Sequence, residues 1–402
     1  MNRQPSRRDW LHTCACAVGG MMWPVADAMA AGAPGSAKAA KTPAPSKLAE
    51  RSSPPVWPAW EAFKKQFVSE SGRVNANDPE GSRTYSEGQS YALFFALVAN
   101  DRAMFDALVQ WTENNLCGGD MTARLPAWLW GQRKDGDWGV IDSNSASDSD
   151  LWIAYALGEA GRLWGDRRYQ ALSALLAARV LREETAEMPG LGLTLLPAPK
   201  GFEEGPDRWR LNPSYLPMQL MHWLVATEPD PRWVQLADSS LQVILRSAPK
   251  GYSPDWTIYD AREGFLVYPD GNKGQGTYNA IRVYTWAGMM HADAPGVRPL
   301  LSTLAPMARF VRDKGYPPES IDILTGQPSG PAPSGFSAAM LPFLQASGDQ
   351  ATLRAQMLRI QARPLRPDAY YEQVLGLFGQ GWMDGWFRFA ATGHVQPRWK
   401  PA

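Results

Sequence analysis

Histidine and cysteine, the residues that build most metal centres and all cross-links, are scarce here, with His 4 and Cys 3 in 402 residues. Cys14 and Cys16 fall within the first thirty positions, so Cys117 stands alone in the remainder. An intramolecular disulfide and a thiolate metal site are thereby excluded from that part of the chain. Four histidines leave little for an imidazole-bound metal, and no metal or cofactor is expected. Net charge is also missing: Lys+Arg 40 balance Asp+Glu 40. That argues against nucleic acid or another polyanion as partner. Beyond Trp57 few segments alternate as strands do. The one uncharged run, from Trp10 to Ala26, is too short and too rich in Gly and Ala for a span of about 20 residues. No membrane span is expected in the mature protein.

What stands at the amino end is an export pattern. Arg3, Arg7 and Arg8 precede the uncharged run, and Ala28-Met29-Ala30 offers small residues at a cleavage site. The Arg7-Arg8 pair within Ser6–Leu11 is twin-arginine-like. Residues 1–30 are therefore expected to be a signal peptide, and the location periplasmic or secreted. Residues 31–55, mostly Ala, Pro, Lys, Ser and Gly, have little to bury and are expected to form a flexible linker. The folded domain is expected over 56–402.

Within it, apolar residues recur at helical spacing. Six strongly apolar segments begin near Thr84, Asp148, Asn212, Thr277, Gly335 and Asp368. Amphipathic segments alternate with them: Trp57–Ser69, Arg102–Asn115, Arg167–Glu183, Pro231–Ala248, Arg298–Lys314 and Asp349–Gln361. Helices apolar all round are buried, and those with a charged face lie outside. Six of each in alternation predict an all-α toroid, the (α/α)6 barrel, with six inner and six outer helices. No Pro/Gly-rich stretch after residue 56 divides the pattern in two. The long connections Cys117–Asp142 and Leu191–Leu211 precede inner helices, where they would wall a groove.

The most polar of these helix mouths is Asp142–Asp150, which opens the apolar run to Trp164. Three aspartates and several hydroxyls exceed what an N-cap requires. Glu87, in TYSEGQSYALFFAL, opens another apolar helix in the same way. The chain is also rich in tryptophan, Trp 18. A flat ring with a polar edge suits the faces of sugars, although most tryptophans plug cores.

The segments SEGQSYALFFAL, ASDSDLWIAYALGEAGRLW and NAIRVYTWAGMM, in that order, resemble glycoside hydrolase family 8. RLPAWLWG, LNPSYLP, APKGYSPDW and GFSAAMLPFL extend the likeness over about Trp57 to Trp399. Within the family it looks like the periplasmic β-1,4-glucan hydrolases that accompany bacterial cellulose synthesis. The resemblance implies the (α/α)6 fold, endo-acting hydrolysis with inversion, and a β-1,4-glucan chain as partner, with the cellulose synthase and export complex as a second. It makes Glu87 the general acid, among Tyr85, Tyr91 and Phe94, surroundings of the kind that keep a carboxyl protonated. It makes Asp148 the central residue that grips and distorts the sugar, and Arg282 the residue that orients the base. Trp128, Trp130, Tyr215, Trp256 and Trp286 become candidates to stack on glucose rings.

The chain departs from the family at Asn279, where many relatives carry the aspartate that serves as base. A carboxamide orients a water but does not take its proton. Three readings stay open. Another carboxylate, Asp148 first and Asp142 next, takes the proton while Asn279 holds the water. Alternatively the chain is a slow enzyme or a glucan-binding protein. Or the asparagine is an introduced, inactivating change. Xylan, chitosan and mixed-linkage glucan are the competing substrates. A lyase or terpenoid cyclase on a similar toroid would call for metal-binding carboxylate runs or His/Tyr bases, which are not found.

Overall fold

The computed structural model describes residues 55–77, 81–267 and 274–400. The expected leader and, save for Pro55, the expected linker lie outside the described residues. The chain divides into two units, Met1–Pro55 and Val56–Ala402. In the second, twelve α-helices alternate between two layers as the apolar pattern predicts. The outer layer is α1 (Pro58–Phe67), α3 (Arg102–Leu116), α5 (Arg167–Glu183), α7 (Arg232–Arg246), α9 (Val297–Lys314) and α11 (Gln350–Ala362). The inner layer is α2 (Ser86–Val98), α4 (Ser147–Trp164), α6 (Met218–Thr227), α8 (Ala280–Met289), α10 (Ser334–Ala346) and α12 (Tyr370–Met383). This is an (α/α)6 barrel.

Burial separates the layers as the sequence implies. Every residue of α8 is buried, and in α2 every residue except Glu87. An outer helix buries one stripe only: in α5 it is Tyr169, Leu172, Ser173, Leu176, Ala177, Val180 and Leu181. The barrel axis is filled with aromatic rings. Phe378 of α12 meets Tyr91, Phe94 and Phe95 of α2 at centroid distances of 5.1, 5.8 and 4.7 Å. It also meets Trp152 of α4 at 5.6 Å and Trp286 of α8 at 4.9 Å. One ring thus joins four inner helices. Two glycines let inner helices close up further. A Cβ on Gly379 would lie 1.8 Å from Ala338 O, and one on Gly288 2.2 Å from Phe343 N.

The two ends of the barrel differ. Turns from inner to outer helices are short, such as 99–101 and 165–166. Connections from outer to inner helices, except the last at 363–369, are long and carry short strands, from Thr84–Tyr85 to Pro328–Pro331, a feature that the sequence pattern missed. Antiparallel pairing laces these connections to one another. β1 (Thr84–Tyr85) pairs with β2 (Leu129–Gln132), and β2 with β3 (Trp138–Asp142). β7 (Arg208–Leu211) pairs with β8 (Thr257–Asp260). At the opposite end the hairpin β13 (Phe387–Phe389) and β14 (Val395–Pro397) is anchored on buried Glu159. Glu159 accepts bonds from Trp223 Nε1 at 2.9 Å, Val395 N at 2.8 Å and Arg162 Nε at 2.9 Å.

One expected start moves. The third inner helix begins at Met218 rather than near Asn212. Pro213 opens a single 3₁₀ turn, Pro213–Tyr215, and Pro217 biases Leu216 away from helical geometry before α6 starts.

Because Phe378 packs against three other inner helices, truncating it loosens all of them together. Phe378→Ala is expected to cost about 3–5 kcal/mol, read as a lower urea midpoint, with Phe378→Leu costing less. An unchanged midpoint would mean that the axis does not hold the ring of helices together.

Candidate active site

Outer helices α3, α5 and α11 are capped by their own aspartates, Asp101, Asp166 and Asp349. None of the six inner helices has a side-chain bond from its N-cap residue. Their open amino ends, where a helix is electropositive, lie at the end of the barrel that carries the long connections. In the Asp142–Asp150 stretch, Ala146 occupies the N-cap position of α4, and Asp148 and Asp150 lie in its first turn.

Arg282, on the first turn of α8, is the centre of this end. Its side chain is 3% exposed. Nη1 donates to Glu87 Oε2 and to Tyr91 Oη at 2.8 Å, and it lies 3.5 Å from Asp148 Oδ2. Nη2 donates to Ser214 Oγ at 3.0 Å and to Asn279 Oδ1 at 2.7 Å. A guanidinium presents donors in a fixed planar fork, so these five partners are held in one arrangement. Burial alone would depress the Arg282 pKa. The neighbouring carboxylates outweigh it, Glu87 first, and the group stays charged. Tyr91 is pushed well up by burial, against the pull of Arg282, and remains a neutral phenol.

Glu87 and Asp148 therefore share one cation. Glu87 is the more open of the two, with its side chain 13% exposed against 2% for Asp148. The apolar surroundings expected around Glu87 are interrupted by Arg282, which no local pattern announces. Asp148 Oδ1 also accepts the Ser149 backbone N–H at 2.8 Å. The Asn279 amide has its oxygen turned to Arg282, which leaves Nδ2 as a donor and no acceptor. Asp142 stands apart: its Oδ1 closes a turn with Asn144 N at 2.9 Å, within β3 and its exit.

The sequence reading missed Asp255. Its carboxylate accepts the backbone N–H groups of Thr277 at 2.8 Å, Asn279 at 3.1 Å and Ala280 at 2.8 Å, together with the Thr277 hydroxyl. It caps α8 from 25 residues upstream of Ala280, so no helix-start pattern could reveal it. Burial pushes its pKa up, and the four hydrogen bonds oppose the shift.

The aromatic candidates separate into three groups. Tyr215 lies with its ring 6.0 Å from the Arg282 guanidinium and 6.1 Å from Trp256, and Trp256 stacks on Phe202 at 5.8 Å. Trp128, half-buried, lies 5.9 Å from Tyr85, and its carbonyl accepts the Ser86 N–H beside Glu87. The half-buried Trp128 and Trp256 thus lie on two sides of the cluster, whereas Tyr215, 2% exposed, offers no open face for stacking. Trp130, also half-buried, packs on Trp111 of outer helix α3 and on exposed Trp138, with Arg73 at 4.5 Å. Trp286 is part of the axis core, its Nε1 bound to Ser214 O, and is no stacking platform.

No group of three or more His, Cys, Asp or Glu among the described residues could hold a metal ion. Among those residues no helix is long and apolar enough to cross a membrane.

Comparison with known proteins agrees with this geometry. The profile of "Glycosyl hydrolases family 8" matches residues 41–385. The "Endoglucanase" of Escherichia coli (strain K12) is 48% identical over 346 residues, 86% of this chain and 92% of that protein. That of Xanthomonas axonopodis pv. citri is 45% identical over 348 residues, 86% and 90% of the two chains. Among solved structures, an endo-1,4-D-glucanase from Vibrio fischeri superposes with a TM-score of 0.78 at 44% identity, over 85% of this chain and 99% of that one. A cold-adapted family 8 xylanase, 16% identical with a TM-score of 0.63, shares the fold. Two carboxyl groups on one buried arginine, at the open helix ends of an (α/α)6 barrel, thus coincide with a profile that spans most of the chain, and this protein belongs to glycosyl hydrolase family 8.

Proposed function

We propose that the protein is an endo-acting β-1,4-glucan hydrolase in which Glu87 is the general acid. The observation that carries this reading is the sharing of Arg282 by Glu87 and Asp148. Two carboxyl groups beside one guanidinium make a neutral site when one of them holds a proton. An acid and a carboxylate are what cleavage of a glycosidic bond requires. Glu87 faces the opening and has the better access to a leaving oxygen. Asp148, deeper and fixed by Arg282 and the Ser149 N–H, is the carboxylate that grips the sugar at the scission point. Asn279 Nδ2 donates to the attacking water, and Asp148 is the nearest carboxylate on the same arginine to take its proton. Aromatic rings on both sides of the cluster suit a groove for a chain better than a pocket for a chain end. Relatives named for endoglucanase activity at 44–48% identity support the substrate class.

The finer setting is part of the same proposal. The export pattern and the motif resemblance support a periplasmic or secreted enzyme that trims β-1,4-glucan during bacterial cellulose synthesis, beside the synthesis and export complex. A second reading, a glucan-binding protein with little or no turnover, is favoured by Asn279 alone.

Release of reducing ends from cellohexaose and carboxymethylcellulose separates the readings. The natural protein is expected to release them, and Glu87→Gln and Asp148→Asn each to lower kcat by about 10²–10⁴-fold. Silence from the natural protein with release by Asn279→Asp would make it a binding protein. Release undiminished in Glu87→Gln would remove Glu87 as the acid. Arg282→Lys keeps the charge but not the fork. It is expected to lower kcat and to cost about 1–3 kcal/mol of stability in urea. Equal behaviour of Lys and Arg there would mean that charge alone matters.

A further inference from the structure

Two carboxyl groups that the Arg282 cluster does not use lie behind Asp148. Asp150, on the first turns of α4, and Glu184, the C-cap of α5, are both 0% exposed. Their carboxyl groups are close neighbours, within hydrogen-bonding reach of each other. Glu184 Oε1 accepts the Ser145 hydroxyl at 2.5 Å. Asp150 Oδ1 and Oδ2 and Glu184 Oε2 have no donor among the described groups. Two ionised carboxylates cannot bond to each other, since both are acceptors only; a proton on one of them makes the bond. The titratable groups facing the pair are Asp148 from α4, Glu183 from the end of α5 and the buried Cys117 thiol after α3. All three are acidic, and none offsets a second negative charge.

We propose that Asp150 and Glu184 share one proton, and that this acid–carboxylate pair is the brace that seats the first turn of α4, and with it Asp148, against Arg282. Both are positioning residues: they join the segment that leads into α4 at Ser145, the mouth of that inner helix and the end of outer helix α5. Burial and then the neighbouring carboxyl push Asp150 well up. Burial pushes Glu184 up to about 8, against the Ser145 and Asp150 hydrogen bonds. The sign follows from a raised acid. The pair's contribution to stability is whole below the ordinary glutamate range and is lost as pH climbs through about 8. The second negative charge then appears beside Asp148.

The test compares the natural protein with Glu184→Gln between about pH 5.5 and about pH 9. The amide keeps a donor for Asp150 at every pH. The natural protein is expected to lose roughly 5–10 °C of Tm across that range, and the variant less than half as much. Its kcat should hold on the alkaline side, where that of the natural protein falls, with KM unmoved in both. The kcat arm rests on the hydrolase reading; the thermal arm does not, so an inactive natural protein would fail that reading and still test the pair. Identical pH slopes in the two proteins would overturn the proposal. Should the variant not fold, infrared spectra of the natural protein in D2O decide. A protonated-carboxyl band near neutrality that persists in Glu87→Gln and vanishes on alkaline titration supports the shared proton, and its absence from Glu87→Gln overturns it.

Discussion

The buried guanidinium of Arg282 is the interaction on which the rest of the active end depends. Its partners come from α2, from α4, from the turn before α6 and from α8 itself, so a single side chain ties four inner-ring segments together. Removing a charge of that kind from water is costly unless it is paired and fully bonded. Glu87 and Asp148 supply the pairing, and Tyr91, Ser214 and Asn279 take most of the remaining donors. The same contacts hold the two carboxyl groups near each other without letting both stand uncompensated.

The two ends of the barrel divide the work. Below the cluster, Phe378 and the rings around it fill the axis, and the C-terminal hairpin is fastened to Glu159. Above it, long connections paired into small sheets form the rim. Inner helices that lack their own caps leave electropositive ends toward that rim, and loop side chains meet them there. Asp255 is the clearest case, since its carboxylate does for α8 what Asp101 does within its own outer helix.

Asn279 gains meaning from this frame. Its backbone is held by Asp255 and its amide oxygen by Arg282, so the position is as constrained as a carboxylate there would be. What is particular is chemical: with its oxygen on Arg282, the Asn279 amide has only a donor left. In the proposed reaction, proton acceptance therefore falls to a carboxylate on the same arginine, Asp148.

The alternation of six buried and six amphipathic helices was readable because burial all round and burial on one stripe leave different apolar spacings, and those spacings are local. Glu87 and Asp148 were readable as polar residues at the mouths of apolar helices, in motifs resembling a known family. The partners were not. Arg282 reaches Glu87 across 195 residues, Asp255 caps α8 across 25, and Glu184 meets Asp150 from the end of another helix. The strands of two to five residues in the rim are too short to leave a periodic signal, and some of them pair across separate connections. The placing of Trp286 in the core followed from the crowding of the axis. The sequence by itself determined which segments are helices and which of them are buried, since each helix carries that information in its own spacing. Only the tertiary structure decided which carboxyl groups share a charge or a proton, since that depends on contacts between segments far apart in the chain.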